Sequence, residues 1–562
     1  VFFADVLKTE GLGNRSYLAG GARAAVVVDP PRDIDRVIAA AARRGVRIVA
    51  VAETHVHNDY VTGGLELARL TGARYLVPAG AEVAYPRVPV ADGDLEPVDE
   101  DLVLRAVATP GHTPHHTAYV LQESGRPVAA FTGGSLLIGS VGRPDLVEPR
   151  LTERLARAQH ASAHRLAAEL GDEVSVLPTH GFGSFCSAGQ AGGESSTIGA
   201  EKASNPALAQ DVDTFVKELL AGLDDVPAYY AHMGPANAGG PAPVDLTPPR
   251  RADAAELARR LAAGEWVVDL RGRVAFAEGH VAGAFNFEVD GQLATYLAWM
   301  VPWGKPVTLL AASAEDVSRA QRELIRVGID RPAAAAVGSP ADWLPEGTAP
   351  ASFPRSTFAG LAAARARRDD VVVLDVRREG ERAAGWIEGS VHIPVHQLHR
   401  RLDEVPAGTV WVHCAGGMRA AIAASLLDAA GRAVVAVDDG FAAAAGAGLR
   451  LGTSRVTPAQ AHRLLQAGSA VLVDVREEDE FAAGHAPGAV HLPLSVLADA
   501  PAGLPDGRDP VLICRSGNRS RQAAELLAAR GVSAPDVVGG MREWAALGLP
   551  VESARGAAGT VR

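Results

Sequence analysis

Leu472-Val473-Asp474-Val475-Arg476 has two close copies elsewhere in the chain, Val267-Val268-Asp269-Leu270-Arg271 and Val373-Leu374-Asp375-Val376-Arg377. Each is a short apolar, largely β-branched run ending in Asp-x-Arg, the pattern of a buried strand that runs into a polar turn. A polar helical stretch follows each one, and then a matching turn and strand: Gly484 to Pro493, Gly279 to Ala284 and Gly389 to Pro394. Further on, each has a second apolar strand, a loop and an amphipathic helix, with those strands at Val511 to Ile513, Val307 to Ala311 and Val410 to His413. Strands alternating with helices at this spacing predict an α/β unit with a mainly parallel sheet, whose site lies at the carboxyl edge. The C-terminal half therefore reads as three copies of one α/β domain.

Pro- and Gly-rich joints delimit the copies at 250–350, 355–452 and 455–552, with a tail at 553–562. Residues 1–240 have a different texture, mixing short strands such as Ala25 to Val28 and Ile48 to Val51 with helical stretches such as Ile34 to Arg44. A chain of 562 residues exceeds what one core supports, so several domains are expected. The 48% apolar and 21% charged content is that of globular protein, and no apolar run approaches the ~20 residues of a membrane span. A net charge of −12 argues against nucleic acid and anionic membrane as partners. Val1-Phe2-Phe3-Ala4-Asp5 lacks the basic flank of a secretory signal, and Cys186, Cys414 and Cys514 are too few for a disulfide framework. The expected compartment is the cytoplasm, and each thiol has to be read for reactivity.

The loop of the third copy is Cys514-Arg515-Ser516-Gly517-Asn518-Arg519-Ser520, between an apolar strand and a helix. A thiol at a helix N-terminus meets free N–H groups and the positive end of the dipole, which favour a thiolate. The amides of Ser516, Gly517 and Asn518 can cradle an anion, and Arg515 and Arg519 add positive charge. The C-x4-R spacing is one residue tighter than the C-x5-R phosphate cradle, which suits sulfur. From the Asp474 strand through this loop to Gly539-Gly540-Met541-Arg542-Glu543-Trp544, the segment resembles a rhodanese (thiosulfate sulfurtransferase) domain. That resemblance implies a persulfide on Cys514, held by the loop and Arg519.

The second copy keeps the spacing in Cys414-Ala415-Gly416-Gly417-Met418-Arg419. Cys414 and Arg419 are expected to act as Cys514 and Arg519 do, with Ala415, Gly416, Gly417 and Met418 lining the site. This loop is less basic, so thiosulfate is expected to bind it less well than a neutral or larger sulfur donor. In the first copy Ala312 stands at the Cys position, Val317 at the Arg position, and Glu315 and Asp316 line the loop. An acidic loop without a thiol predicts a catalytically dead copy, a spacer or docking surface.

The N-terminal block carries Thr54-His55-Val56-His57-Asn58-Asp59-Tyr60, then Gly111-His112-Thr113-Pro114-His115-His116 and Thr179-His180-Gly181. Imidazoles at i and i+2 after a strand, followed by an acid, present metal ligands from one loop. In this order the motifs resemble the metallo-β-lactamase fold, an αββα sandwich. With Ser195 to Gly199, His232-Met233 and Asn237 they resemble, more narrowly, the persulfide dioxygenases fused to rhodanese domains. The resemblance implies a mononuclear iron on two His and one Asp, here His55 and His112, and oxidation of a glutathione-type persulfide by O2 to sulfite. The Asp position is occupied by Gly134 in Phe131-Thr132-Gly133-Gly134-Ser135, and Tyr60 stands where a further His is usual. A His55, His57 and His112 set, with Asp59, Asp145 or His180 within the same region, remains as a candidate site for Fe(II) or Zn(II).

The leading function is thus a rhodanese-type sulfurtransferase that moves sulfane sulfur from thiosulfate or a glutathione-type persulfide to thiol acceptors. Three alternatives stay open: a dioxygenase-rhodanese fusion, a zinc hydrolase of the glyoxalase II kind, and a non-catalytic sulfur carrier or sensor. Cys186, just after His180, is a candidate relay thiol. A homo-oligomer stays open among the partners.

Overall fold

Side-chain alternation in the first strands builds the N-terminal sandwich. Tyr17 and Ala19 point to one side of β2 (Asn14–Gly20), and Leu18 points to the other. Val26 and Val28 lie on the first side of β3 (Ala24–Val28), and Ala25 and Val27 on the second. The first side faces a second sheet, contributing to a core with Leu104, Ala106, Tyr119, Leu121 and Phe131. The second side is covered by helices Asp35–Arg44 and Gly64–Thr71. Helices Thr152–Glu169 and Val212–Ala221 cover the outer face of the second sheet. The result is the expected αββα order, with apolar side chains sealing all three interfaces.

With β1 at Phe3–Thr9, β4 at Arg47–Ala52, β5 at Arg74–Pro78 and β6 at Val88–Val90, the first sheet runs β1-β2-β3-β4-β5-β6. It is antiparallel through β3 and parallel from β3 to β6. The second sheet runs β12-β11-β10-β9-β8-β7, with β7 at Leu95–Asp99, β8 at Leu102–Ala108, β9 at Thr117–Glu123, β10 at Arg126–Gly133, β11 at Ser175–Pro178 and β12 at Ser196–Thr197. The His-bearing loops leave the carboxyl ends of β4, β8 and β11.

The computed structural model describes residues 2–561 apart from 190–192, 368–369, 467, 500–503, 505–507, 531 and 555–558, so much of the expected 553–562 tail lies outside the described residues. The chain divides into two units, Val1–Gly272 with Phe287–Gly347, and Arg273–Asn286 with Thr348–Arg562. Among the described residues no helix is long and apolar enough to cross a membrane.

The second and third copies have the same five-stranded parallel sheet. Its order is Arg355–Ser356, Val434–Val437, Thr409–His413, Val371–Asp375, Val391–His392 in one. In the other it is Arg455–Val456, Asp536–Val537, Asp509–Ile513, Ala470–Asp474, Val490–His491. The first copy repeats its centre in the parallel strands Trp266–Asp269, Val307–Ala311 and Ala334–Val337. The Asp-x-Arg signature is a fork: Arg271, Arg377 and Arg476 each close two-handed on the Asp two residues earlier. Arg377 and Arg476 also reach a carbonyl beyond the next helix, on Gly385 and Gly484 at 2.7 Å, so the fork fixes the turn as well as neutralising a buried acid.

The first copy is more than a spacer. Its helix Leu293–Met300 is buried along its whole length, and Ala294, Ala298 and Val327 share a core with Leu12, Tyr60, Cys186, Tyr229 and Met233 of the sandwich. Arg326 donates to both oxygens of the buried Asp33 at 3.0 and 2.7 Å, its carbonyl accepts Val61 N–H at 2.7 Å, and Arg32 pairs with Asp330. Apolar burial and these pairs make it a wall of the sandwich.

Candidate functional site

The tautomer of each buried imidazole in the N-terminal domain follows from its neighbours. Thr54 Oγ1 donates to Asp29 Oδ2 at 2.7 Å and therefore accepts from His55 Nδ1 at 2.9 Å, which leaves the His55 Nε2 lone pair free. His112 Nδ1 lies 2.8 Å from the Arg143 carbonyl, an acceptor only, and so must donate. His180 Nδ1 lies 3.2 Å from both Asn14 Oδ1 and Asp59 Oδ2, while the Asn14 amide donates to Asp59 at 2.8 Å. His57 is turned the other way, with Nε2 3.1 Å from Asp29 and 3.2 Å from Glu53, which leaves Nδ1 as the nitrogen without a hydrogen-bond partner among the described residues.

Three lone pairs, on Nε2 of His55, His112 and His180, thus lack a proton, and each is backed by an acceptor on the opposite ring nitrogen, the arrangement by which outer residues orient metal ligands. His112 Nε2, His57 Nδ1 and Asp59 Oδ1 are buried without a hydrogen-bond partner among the described residues, and His180 Nε2 lies 3.4 Å from His55 Nε2. Ligand atoms of His55, His112 and His180 fall within 4.8 Å of one another, and so do those of His57, Asp59 and His180. Burial holds His55 well below the ordinary imidazole value, with the adjacent imidazoles adding to it, and brings His112 to about 3. Burial alone would also deprotonate His57, but Asp29 and Glu53 outweigh it and raise its pKa to about 10. Orphaned ligand atoms and the unprotonated His55 and His112 rings fit a metal ion, with His180 as the member common to both sets, whereas His57 joins only by giving up its second proton.

His116 is excluded. Its Nε2 accepts the Gly134 N–H at 2.9 Å, and its Nδ1 lies 2.8 Å from Thr109 Oγ1. The missing carboxylate has no vacant space either, because a Cβ built on Gly134 overlaps the His112 ring. Asp145 is held two-handed by Arg143 at 2.7 and 2.8 Å and does not replace it. Tyr60 O–H lies 3.2 Å from His57 Nε2 and from the Asp29 carbonyl, bracing the loop instead of binding metal. Asn237 donates to the carbonyls of His57 and Tyr60 at 2.8 Å and accepts Thr62 N–H, pinning the same loop. Cys186 is fully buried, and burial with the nearby Asp59 pushes its thiol well up, which removes the thiolate a relay needs.

In the second unit the two expected thiols sit alike. Gly417 N–H donates to Cys414 Sγ and Gly517 N–H to Cys514 Sγ, each at 3.1 Å, and Ser520 Oγ adds a 3.4 Å contact to Cys514. The helices Met418–Ala429 and Asn518–Ala529 begin at these glycines, in positive-φ backbone at 100° and 92°, with no side chain capping the first turn. The unclaimed amides are what an anion or persulfide would take. In the first copy Ser313 caps helix Ala314–Leu324, accepting from Asp316 N–H at 3.1 Å, so the cradle is filled as well as lacking a thiol.

Arg515, Ser516 and Asn518 are exposed around Cys514; Ala415 and Gly416 are exposed and Met418 half-buried around Cys414. The expected anion-binding role of Arg519 and Arg419 needs correction. Arg519 donates to both oxygens of Glu480 at 2.6 and 2.7 Å, and Arg419 to both of Glu381 at 2.5 and 2.7 Å. A two-handed pair commits the planar guanidinium, so these arginines brace the start of the helix. Glu381 and Glu480 were not singled out in the sequence, although each stands four residues after its Asp-x-Arg arginine. Asp29, Glu53 and Thr54 were missed too; the one signal was an acid closing the apolar run Ala24–Val28.

The metallo-beta-lactamase superfamily matches residues 9–180, and the rhodanese-like domain matches residues 359–447 and 457–547. Human mitochondrial persulfide dioxygenase ETHE1 is 30% identical over 215 residues, 36% of this chain and 74% of that protein. The thiosulfate sulfurtransferase GlpE of Pseudomonas putida is 40% identical over 105 residues, 18% of this chain and 94% of that protein. The crystal structure of a metallo-beta-lactamase from Staphylococcus aureus matches with a TM-score of 0.54 at 25% identity, covering 60% of this chain and 99% of that one. The rhodanese-like domains and the likenesses to ETHE1 and GlpE place the chain in sulfur chemistry.

Burial alone would raise Glu381, but Arg419 outweighs it and brings it down to about 2 from 4.5. A depressed carboxylate stabilises the fold fully above its unfolded pKa and loses that contribution as pH falls through its folded one. Glu381→Gln is therefore expected to cost about 2–3 kcal/mol at pH 7, a gap that closes between pH ~4.5 and ~2, measured from urea unfolding of both proteins across that range. Gly134→Asp is expected to lower the melting temperature without raising the metal content of purified protein, since its side chain displaces the His112 ring. A gain of tightly bound metal would contradict the steric argument.

Proposed function

The chain belongs to the family that joins a persulfide-dioxygenase-like metallo-β-lactamase domain to rhodanese domains, and on that premise we propose that it is a sulfurtransferase carrying sulfane sulfur as a persulfide on Cys514 and on Cys414. The observation that carries this reading is the pair of identical cradles, each with Sγ accepting a glycine N–H at the uncapped start of a helix. A thiolate there attacks the outer sulfur of thiosulfate. The new S–S bond forms as the old one breaks, and sulfite leaves with the electron pair. The loop amides share the charge while it moves from donor to Cys, and Ser520 adds a hydroxyl at Cys514. An acceptor thiolate then attacks the outer sulfur of the persulfide, takes it, and returns the Cys thiolate. Arg515, exposed at the loop mouth, favours anionic donors at Cys514.

A second reading concerns the N-terminal domain and rests on the buried donor atoms without partners. We read it as a persulfide oxidase site in which His55, His112 and His180, with His57 and Asp59 adjoining, would hold a single Fe(II). Three neutral imidazoles suit iron or zinc, and bound iron would supply open positions for a persulfide and O2. Asp29, Asn14 and Thr54 keep the rings oriented, and the apolar wall of Tyr229, Tyr230 and Met233 keeps water out.

Thiosulfate and cyanide test the first reading. Cys514→Ser is expected to leave only the Cys414-dependent share of thiocyanate formation, and Cys414→Ser the complement, while the double variant falls to background. Turnover surviving in the double variant would sink it; a persulfide that forms without turnover would make the chain a carrier. For the second, protein purified anaerobically from iron- and zinc-supplemented cells is expected to hold about one iron per chain, lost in His180→Ala, and to consume O2 with glutathione persulfide. Stoichiometric zinc without O2 uptake would move the site to hydrolysis of the glyoxalase II kind, and no metal would leave a scaffold.

A further inference from the structure

The arginines around the Cys514 cradle are of two kinds. Arg519, Arg455 and Arg476 each close two-handed on a carboxylate, that of Glu480, Asp536 and Asp474 in turn. Arg515 and Arg542 are exposed, and neither side chain has a hydrogen bond or ion pair among the described residues. Arg515 follows the thiol directly, while Arg542 arrives from the turn after strand Asp536–Val537. Gly540 in that turn lies at φ 59°, and a Cβ there would overlap the Cys514 carbonyl oxygen and come 2.8 Å from the Arg515 carbonyl carbon. Only glycine permits so close an approach. Met541 N–H donates to the Cys514 carbonyl at 2.8 Å, and Arg542 N–H to the Arg515 carbonyl at 3.1 Å. Two exposed guanidiniums therefore spring from hydrogen-bonded neighbours on the cradle itself.

The second copy repeats the turn without the charge. After Gly440, Phe441 is buried, Ala442 and Ala443 are exposed and Ala444 is buried, the same order as Met541, Arg542, Glu543 and Trp544 after Gly540. Phe441 N–H donates to the Ala415 carbonyl at 2.9 Å, so this turn also lies on its loop. Ala415 and Ala442 stand where the third copy has Arg515 and Arg542. The two cradles share their sulfur-binding amides and differ in the charge at the mouth.

We propose that Arg542 is a substrate-binding residue of the Cys514 site, taking the sulfonate end of thiosulfate together with Arg515, and that Ala442 and Ala415 leave Cys414 to donors without charge beside the reacting S–S bond. The inference rests on Cys514 being a sulfurtransferase thiol. Attack on the outer sulfur runs in line, with the new S–S bond to Cys514 forming as the S–S bond of thiosulfate breaks. The sulfonate then lies on the far side of the outer sulfur from Cys514, at the loop mouth. Sulfite departs there with the electron pair, and the two guanidiniums take its charge.

The test uses the full chain carrying Cys414→Ser, so that Cys514 alone turns over, with thiosulfate and cyanide. Arg542→Gln is expected to raise KM for thiosulfate about tenfold with kcat within about twofold, the loss of one charge-assisted contact. Arg542→Lys keeps the charge and is expected to recover most of that KM. An unchanged KM in Arg542→Gln overturns the proposal, as does a KM that stays raised in Arg542→Lys. In the opposite background, Cys514→Ser, adding Ala415→Arg and Ala442→Arg is expected to lower the KM of Cys414 for thiosulfate about tenfold; no change there overturns the division between the cradles. If Cys414→Ser shows no turnover at all, the Cys514 assignment itself fails, before Arg542 is varied.

Discussion

Among the described residues no lysine or arginine pairs with the buried carboxylate of Asp29, and the N-terminal site depends on how that charge is satisfied. Its oxygens accept the Thr54 N–H and the Thr54 and Thr179 hydroxyls, and one lies 3.1 Å from His57 Nε2. Those groups come from the loops after β4 and β11, while Asp29 itself closes β3. One anion therefore ties three strand ends together, helps hold the proton on His57 and sets the tautomer of His55 through Thr54. A buried charge without such partners would cost several kcal/mol. With them, it converts the desolvation of one carboxylate into the orientation of two imidazoles.

The three α/β copies show how one scaffold is kept while its chemistry changes. The Asp-x-Arg fork persists in all of them because it satisfies a buried acid and holds a turn, which is a requirement of folding. What differs is the first turn of the helix after the second strand. A glycine there leaves amides unclaimed and a sulfur can use them; Ser313 claims one for itself and the site closes. The difference is a choice between a locally stable helix end and a reactive one. The copy that took the stable end contributes a wall to the sandwich through Leu293–Met300 and an arm, Arg273–Asn286, to its neighbour.

Much of this was legible in the linear chain. The repeat, its parallel sheets, the two thiols at strand-helix junctions and the loop without one follow from apolar periodicity and the few residues at each junction. The His clusters announced a cluster of residues that fits a metal ion, and Gly134 announced its departure from the usual ligand set. What could not be read was orientation. Whether His57 offers Nδ1 or Nε2 depends on Asp29 and Glu53, and His180 gains its importance from the reach of β11. The arginines at Arg419 and Arg519 looked like anion ligands because charge is visible in a sequence and partnership is not; Glu381 and Glu480 lie about forty residues away.

The wall formed by Leu293–Met300 also has a consequence for how the protein is made. Tyr229, Tyr230 and Met233 leave the ribosome well before Ala294, Ala298 and Val327, which cover them. At ~5–20 residues per second, the sandwich spends on the order of 5–20 s with that apolar face uncovered. During this interval it exposes the kind of surface chaperones hold, and its folding cannot finish until a later domain has been translated. A copy with no catalytic thiol thereby sets the moment at which the domain before it becomes complete.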